Sequence, residues 1–194
     1  MAETPEGVTH GFTLRSPWFT SAILRGIKSV ENRCVTFPAG WYAIHTGVAK
    51  HADQSAHEHV RSAASAAEYA IVSEDVASLR VVKGTIAGVC FISHSLPARC
   101  IVDHVDGVTC PSAWALGPFC MVVSRVIWLS EPIACAGNLG NWPLSQDNRT
   151  LLVARLQSVK ATDAAERYPR NDTELDKLRK ELRESKRAQK RTRD

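Results

Sequence analysis

The sequence predicts a mixed α+β domain organised as a small β-barrel. Three observations carry that expectation. Short runs of β-forming residues recur between turns containing Pro and Gly, one helix signal stands ahead of them, and one alanine-rich helical stretch is inserted among them. With 194 residues and 44% hydrophobic content, the chain is long enough for one domain with a real core plus an appendage.

Residues 1–10 read as a disordered leader. Ser16-Pro17 opens a helix, because Ser caps well and Pro fits the first helical position. Phe19, Ala22, Ile23 and Ile27 form its inner stripe, and Gly26 stops it. Residues 27–35 are extended, Pro38-Ala39-Gly40 is a turn, and Trp41-Tyr42-Ala43-Ile44-His45 is a buried strand ending near Gly47. Residues 52–70 suit one helix of strong local propensity, and Ser73-Glu74-Asp75 begins another helical turn. Residues 84–93 form a strand with Gly88 as a bulge, and residues 94–117 are irregular. Phe119 to Leu129, almost continuously apolar, is the longest strand and a central one. A glycine loop over 137–141 leads to Trp142-Pro143-Leu144, and a helical pattern begins at Asn148. Tyr168-Pro169 breaks it, and Thr173 with Asp176 opens a last helix carrying Leu175, Leu178 and Leu182. The domain therefore spans 11–150, followed by a helical C-terminal extension over 151–194 with a basic end.

No apolar run approaches the ~18 residues of a membrane span, so no membrane partner is expected. The first residues lack the basic start and apolar stretch of a secretory signal. These features describe a soluble intracellular protein, nuclear or cytoplasmic. The six cysteines include no C-x-x-C pair, which argues against a zinc knuckle or redox motif. His57 and His59 point to different sides of a helix, so they do not form a metal site with His51. Neither metal nor cofactor is expected.

Residues 1–165 carry 13 bases and 13 acids, whereas residues 166–194 carry 11 against 7 and account for the whole net charge of +4. Lys186, Arg187, Lys190, Arg191 and Arg193 stand together without an acid between them. Such a tail suits contacts to nucleic-acid phosphates or an import signal, and a solvated helix end is the plainer reading.

The densest polar constellation is Gly26-Ile27-Lys28-Ser29-Val30-Glu31-Asn32-Arg33. In an extended segment Glu31 and Arg33 share a face, and a turn after Gly26 can direct Lys28 to it. Two cations beside one carboxylate can hold a phosphate or a nucleobase edge, with Arg as a planar fork, Lys as a point charge and Glu as an acceptor. The same residues also make an ion-pair cluster at a strand edge. Trp18 can stack a base or pack against the barrel, and His45 ends a strand near the expected cleft as a further candidate ligand contact.

The pattern resembles the ASCH domain family, a branch of the PUA-like β-barrel superfamily. The resemblance rests on Pro17-Trp18 followed by Gly26, Lys28, Glu31 and Arg33, which match Gly-x-Lys-x-x-Glu-x-Arg in full. Further blocks follow in order: Trp41-Tyr42-Ala43-Ile44-His45, Gly84-Thr85-Ile86-Ala87-Gly88-Val89, and residues 126–133 with Gly137. The match covers about residues 12–145, and Ser16 stands where many members carry Gln. It implies a cleft between barrel and first helix, lined by the Lys, Glu and Arg of the motif, in a family linked mostly to RNA or DNA. Some members are small amidohydrolases acting on acetylated cytidine, and a nuclease activity belongs to another branch. The amidohydrolase type uses a Thr three positions after its Lys, where this chain has Glu31.

The expectation is thus a nucleic-acid-binding module for RNA or a single-stranded or modified nucleotide, with Trp18, Lys28, Glu31, Arg33 and His45 as contacts. The alternative is a small hydrolase, an amidohydrolase on a modified nucleoside or a ribonuclease, with Lys28 and Glu31 catalytic. A protein partner on the C-terminal helix, through Leu175, Leu178 and Leu182, is a third possibility.

Overall fold

The computed structural model describes residues 7–49, 51–105, 108–157 and 162–163. Its elements run β1 (His10–Leu14), α1 (Pro17–Leu24), β2 (Val30–Arg33), β3 (Gly40–Thr46), α2 (Ala52–Ala63), α3 (Ala66–Ala77) and β4 (Thr85–Pro97). They continue with β5 (Val102–Val105), β6 (Val108–Pro111), β7 (Phe119–Ala134), β8 (Asn141–Pro143), α4 (Gln146–Leu156) and β9 (Thr162–Asp163). The fold is α+β: a mixed sheet, ordered β2-β7-β4-β3-β1-β8 with β9 on β7, curls into a half-barrel. Among the described residues β1 and β3 run parallel and the other pairs are antiparallel.

Alternation along the strands gives the sheet two buried faces. Phe12, Leu14, Tyr42, Ile44, Ile92 and Met121 fill the concave side. Their neighbours Ala43, Val89, Ile127 and Leu129 pack outward against Leu152 and Leu156 of α4 and against Trp142. A third cluster joins α1, α2 and α3 to the sheet through Phe19, Ala22, Ile27, Val60, Val72 and Val122. Val8, within the stretch expected to be a leader, is buried in the outer cluster, and the Thr9 carbonyl accepts the Leu144 N–H.

Five local expectations are corrected. The single helix over 52–70 is two helices, because Ser65 and Glu68 form a reciprocal capping box that starts α3. Ser73 consequently lies inside α3 rather than opening a new turn. The stretch 94–117 is largely ordered: β4 runs on to Pro97, and β5 pairs with β6 in a hairpin whose register leaves Asp106-Gly107 between them. Asp-Gly is a favoured dipeptide for a two-residue hairpin loop, a signal present in the sequence. β7 likewise extends to Ala134, and α4 starts from a Ser145 cap rather than at Asn148. The Gly88 bulge is present as a register shift between Ile86 and Gly88 against β7. No helix among the described residues is long and apolar enough to cross a membrane.

Two features of this frame position the site. First, β8 pairs with β1 only from His10 to Phe12, so Thr13 and Leu14 leave an open edge facing β2 across the curl. Second, α1 ends in a Schellman turn. The Gly26 N–H bonds the Ile23 carbonyl and the Ile27 N–H bonds the Ala22 carbonyl. Gly26 takes φ +69°, a left-handed conformation that carries no Cβ penalty for glycine. The turn reverses the chain so that Lys28 emerges at the open edge.

Candidate functional site

A cleft of about 310 Å³ occupies the gap between the end of β1, α1 and β2. Three of the motif residues meet in it. Lys28 Nζ donates to Glu31 Oε2 at 2.8 Å and to the Val30 carbonyl, with only 2% of the lysine side chain exposed. Arg33 reaches Glu31 Oε1 at 3.2 Å and donates to the Thr13 carbonyl at 2.9 Å, bridging the open edge from β2 to β1. Each Glu31 oxygen therefore faces a different cation. The side-chain alternation of β2 explains the pairing: Glu31 and Arg33 face the cleft while Val30 enters the helix-side core.

Buried aromatic rings lie beneath the cations, and of these Phe19 lines the cleft. Phe19 lies under both Arg15, at 5.4 Å from its centroid, and Lys28, at 5.6 Å. Phe12 and Phe37 lie under the Arg33 guanidinium at 5.2 and 5.9 Å. Cations stacked over ring faces keep their charge while covering apolar surface. Arg15 is exposed at the rim and forms no ion pair among the described residues. Counting Arg15, Lys28 and Arg33 against Glu31, the cleft holds three cations and one carboxylate.

Asn32, on the opposite face of β2, latches the far wall. Its Nδ2 donates to the Trp114 carbonyl at 2.9 Å. Its Oδ1 accepts from the Leu116 and Gly117 N–H groups at 3.0 and 3.2 Å. Leu116, Gly117 and Pro118 form that wall of the cleft.

A second cavity, about 640 Å³, adjoins the first and shares Thr13, Arg15 and Arg33 with it. His45 lines this cavity and not the cleft, because the parallel register of β1 and β3 sets it beside Thr13. Its Nε2 lies 3.2 Å from the Cys135 carbonyl, and burial pushes its pKa below the ordinary histidine value. His59, edge-on to Phe19 and Trp114 behind the cleft, is lowered by burial and then by the Lys28 and Arg15 charges. Burial raises the Cys90 thiol, with Glu31 adding to the shift, so it stays protonated in the barrel core.

Trp18 is not brought to the cleft. It stacks on Tyr69 at 6.0 Å and packs against His57 at 4.5 Å in the helix layer. Successive helix residues diverge by about 100°, so when Phe19 faces the cleft Trp18 faces α2 and α3. Of the two roles the sequence offers Trp18, the structure shows the packing contact. Ser16 is buried too: its Oγ caps Trp18 N and donates to Asp53 Oδ1 at 2.9 Å, tying α1 to α2. Thr13 and Arg15, and the part that Asn32 and the loop over 135–139 play in the site, escaped the sequence reading. Asn32 lay inside the quoted motif, but nothing in its spacing announces a latch to residues more than 80 positions away. Among the described residues no group of three or more His, Cys, Asp or Glu side chains is placed to hold a metal. Lys186, Arg187, Lys190, Arg191 and Arg193, together with Leu175, Leu178 and Leu182, lie outside the described residues. Comparison with known proteins finds no matching family model and no matching curated protein.

Proposed function

We propose that this chain is a nucleic-acid-binding module of ASCH type that takes an unpaired RNA nucleotide in the cleft beside Lys28, Glu31 and Arg33. The observation that carries the reading is the charge of the open barrel edge: three cations, one carboxylate, and a rim guanidinium, Arg15, with no ion-pair partner among the described residues. An anionic ligand group completes that arrangement, and a phosphate matches the planar donors of Arg15 and Arg33. The Phe19 ring beneath Arg15 and Lys28 and the volume of the cleft suit one nucleotide rather than a duplex. In this reading Glu31 is a positioning residue that holds Lys28 and Arg33 in place. Binding is better supported than hydrolysis, since the Lys28 amine and both Glu31 oxygens are already engaged with one another, with Arg33 and with the Val30 carbonyl.

The test is binding of a fluorescent single-stranded RNA to the full chain at low and moderate salt, in a background with Lys186, Arg187, Lys190, Arg191 and Arg193 changed to Gln. Arg15→Ala, at an exposed position, is expected to weaken binding about fivefold, or ~1 kcal/mol. Arg33→Gln is expected to weaken it at least as much. Affinity unchanged by both substitutions overturns the cleft as the site. Turnover of an acetylated cytidine by the wild-type chain, lost in Lys28→Ala, would establish the hydrolase alternative instead.

A further inference from the structure

We infer that the second cavity is a base subsite that receives the nucleobase next to the one in the cleft, so that the protein reads two consecutive nucleotides; this rests on the nucleotide-binding reading above. The two cavities abut at Thr13, Arg15 and Arg33. A phosphodiester seated on the two shared guanidinium groups carries one nucleoside to either side, which is the layout of the two cavities.

The chemistry of the second cavity selects a neutral ring rather than a second charged group. Among the described residues, the shared Arg15 and Arg33 are its permanently charged lining groups, and no carboxylate lines it. Its outer wall is apolar: Val48 and Leu139 stand 69% and 92% exposed at the rim, surface that a base face can cover. A base face packed on these aliphatic side chains makes apolar contact that does not depend on base identity.

The cavity is also built rather than slack. The Thr13 hydroxyl donates to the Asn138 carbonyl at 2.8 Å and lies 3.3 Å from Trp142 Nε1, which donates to it. The Cys135 N–H bonds the Gly84 carbonyl, and the Cys135 carbonyl meets His45. Gly137 passes so close to His45 that a Cβ there would lie 2.2 Å from Nδ1 and 2.7 Å from Thr13 Oγ1. The floor is therefore bare backbone pressed onto a buried imidazole, whose Nδ1 has no hydrogen-bond partner. That leaves peptide groups, rather than mobile side chains, beneath an incoming ring.

The experiment measures binding of three probes to the full chain: UMP, the dinucleotide pUpU, and pUpU lacking its second base. The wild type is expected to bind pUpU at least fivefold tighter than the other two. In the double variant Val48→Ser/Leu139→Ser that advantage is expected to fall below twofold, with UMP affinity within twofold of wild type. Equal affinity for pUpU and its abasic form, or a full advantage kept by the double variant, overturns the second subsite while leaving the cleft reading intact. Indifference of UMP and pUpU alike to Arg15→Ala and Arg33→Gln overturns both.

Discussion

Glu31→Gln separates the structural and electrostatic parts of the cleft, because the substitution keeps the shape and removes one charge. Lys28 is almost wholly buried, and the carboxylate at 2.8 Å is its ionic partner among the described residues. Removing one partner of a buried pair typically destabilises by 3–5 kcal/mol. Here the Gln carbonyl can still accept one of the two bonds, and Lys28 keeps the Val30 carbonyl, so about 2–3 kcal/mol is expected. With a urea m-value of ~2 kcal/mol/M, the unfolding midpoint should drop by about 1–1.5 M. Affinity should move the other way. A phosphate on Arg33 would sit about 6 Å from the Glu31 carboxylate, a repulsion of ~3 kcal/mol at an effective dielectric of 20, reduced by salt to roughly 1–2. Its removal should tighten single-stranded RNA binding about 5- to 30-fold at low salt. Urea denaturation and fluorescence anisotropy on one preparation read both effects. Unchanged stability would show that the triad contributes nothing to folding. Weakened binding would show that the placement of Lys28 and Arg33 by Glu31, or a direct contact from Glu31 to the ligand, outweighs the relieved repulsion, and would refute the electrostatic reasoning.

Further outcomes follow from other contacts. Asn32→Ala removes the latch on the 114–117 wall; because Leu116 is exposed and its N–H can be rehydrated, the expected loss is about 1–2 kcal/mol by thermal or urea unfolding, with a weakened cleft affinity. Acid should destabilise the fold in two stages. His45 and His59 have folded pKa values below the ordinary ~6.5, so the unfolded chain takes up protons first and stability falls as pH drops from there. Asp75 is buried, which raises its pKa, but bonds from Arg25 at 2.6 and 2.8 Å and from Ser21 at 2.7 Å outweigh burial and depress it. Its contribution is complete above ~3.9 and is lost as pH falls through its lower folded value. A chemical-denaturation series from pH 8 to 3 that showed rising stability on acidification would contradict both assignments. Gly137→Ala drives a methyl onto His45 and should destabilise by ~1–3 kcal/mol while perturbing the second cavity; an unchanged melting curve would mean that the 135–139 loop does not press on His45.

Much of the fold was legible because it is written in local signals. Ser16-Pro17 and Gly26 bound α1 through backbone capping, which involves only neighbouring residues. The short apolar run over 41–45 and the longer one from Phe119 marked strands that the sheet uses on both faces. The misreadings were also local. The Ser65–Glu68 capping box and the Asp-Gly dipeptide at 106–107 were present in the sequence and went unread, so one helix stood for two and irregular chain for the β5–β6 pair.

The cleft divides along a different line. The convergence of Lys28, Glu31 and Arg33 follows from the turn at Gly26 and the alternation of β2, both short-range, and the spacing of the motif encodes it. What the motif faces depends on the curl of the sheet. Arg33 meets Thr13 across the open edge, β8 stops short of Thr13, and the 135–139 loop closes on His45 from ninety residues away. Trp18 and Phe19 are adjacent apolar aromatics with equal local claims on the cleft; only the packing of α1 on α2 and α3 assigns Trp18 to the helix layer and Phe19 to the floor. Periodicity and capping are short-range and survive in one dimension. Which edges a curled sheet leaves open is set by the simultaneous burial of both its faces, and that exists only in the folded chain.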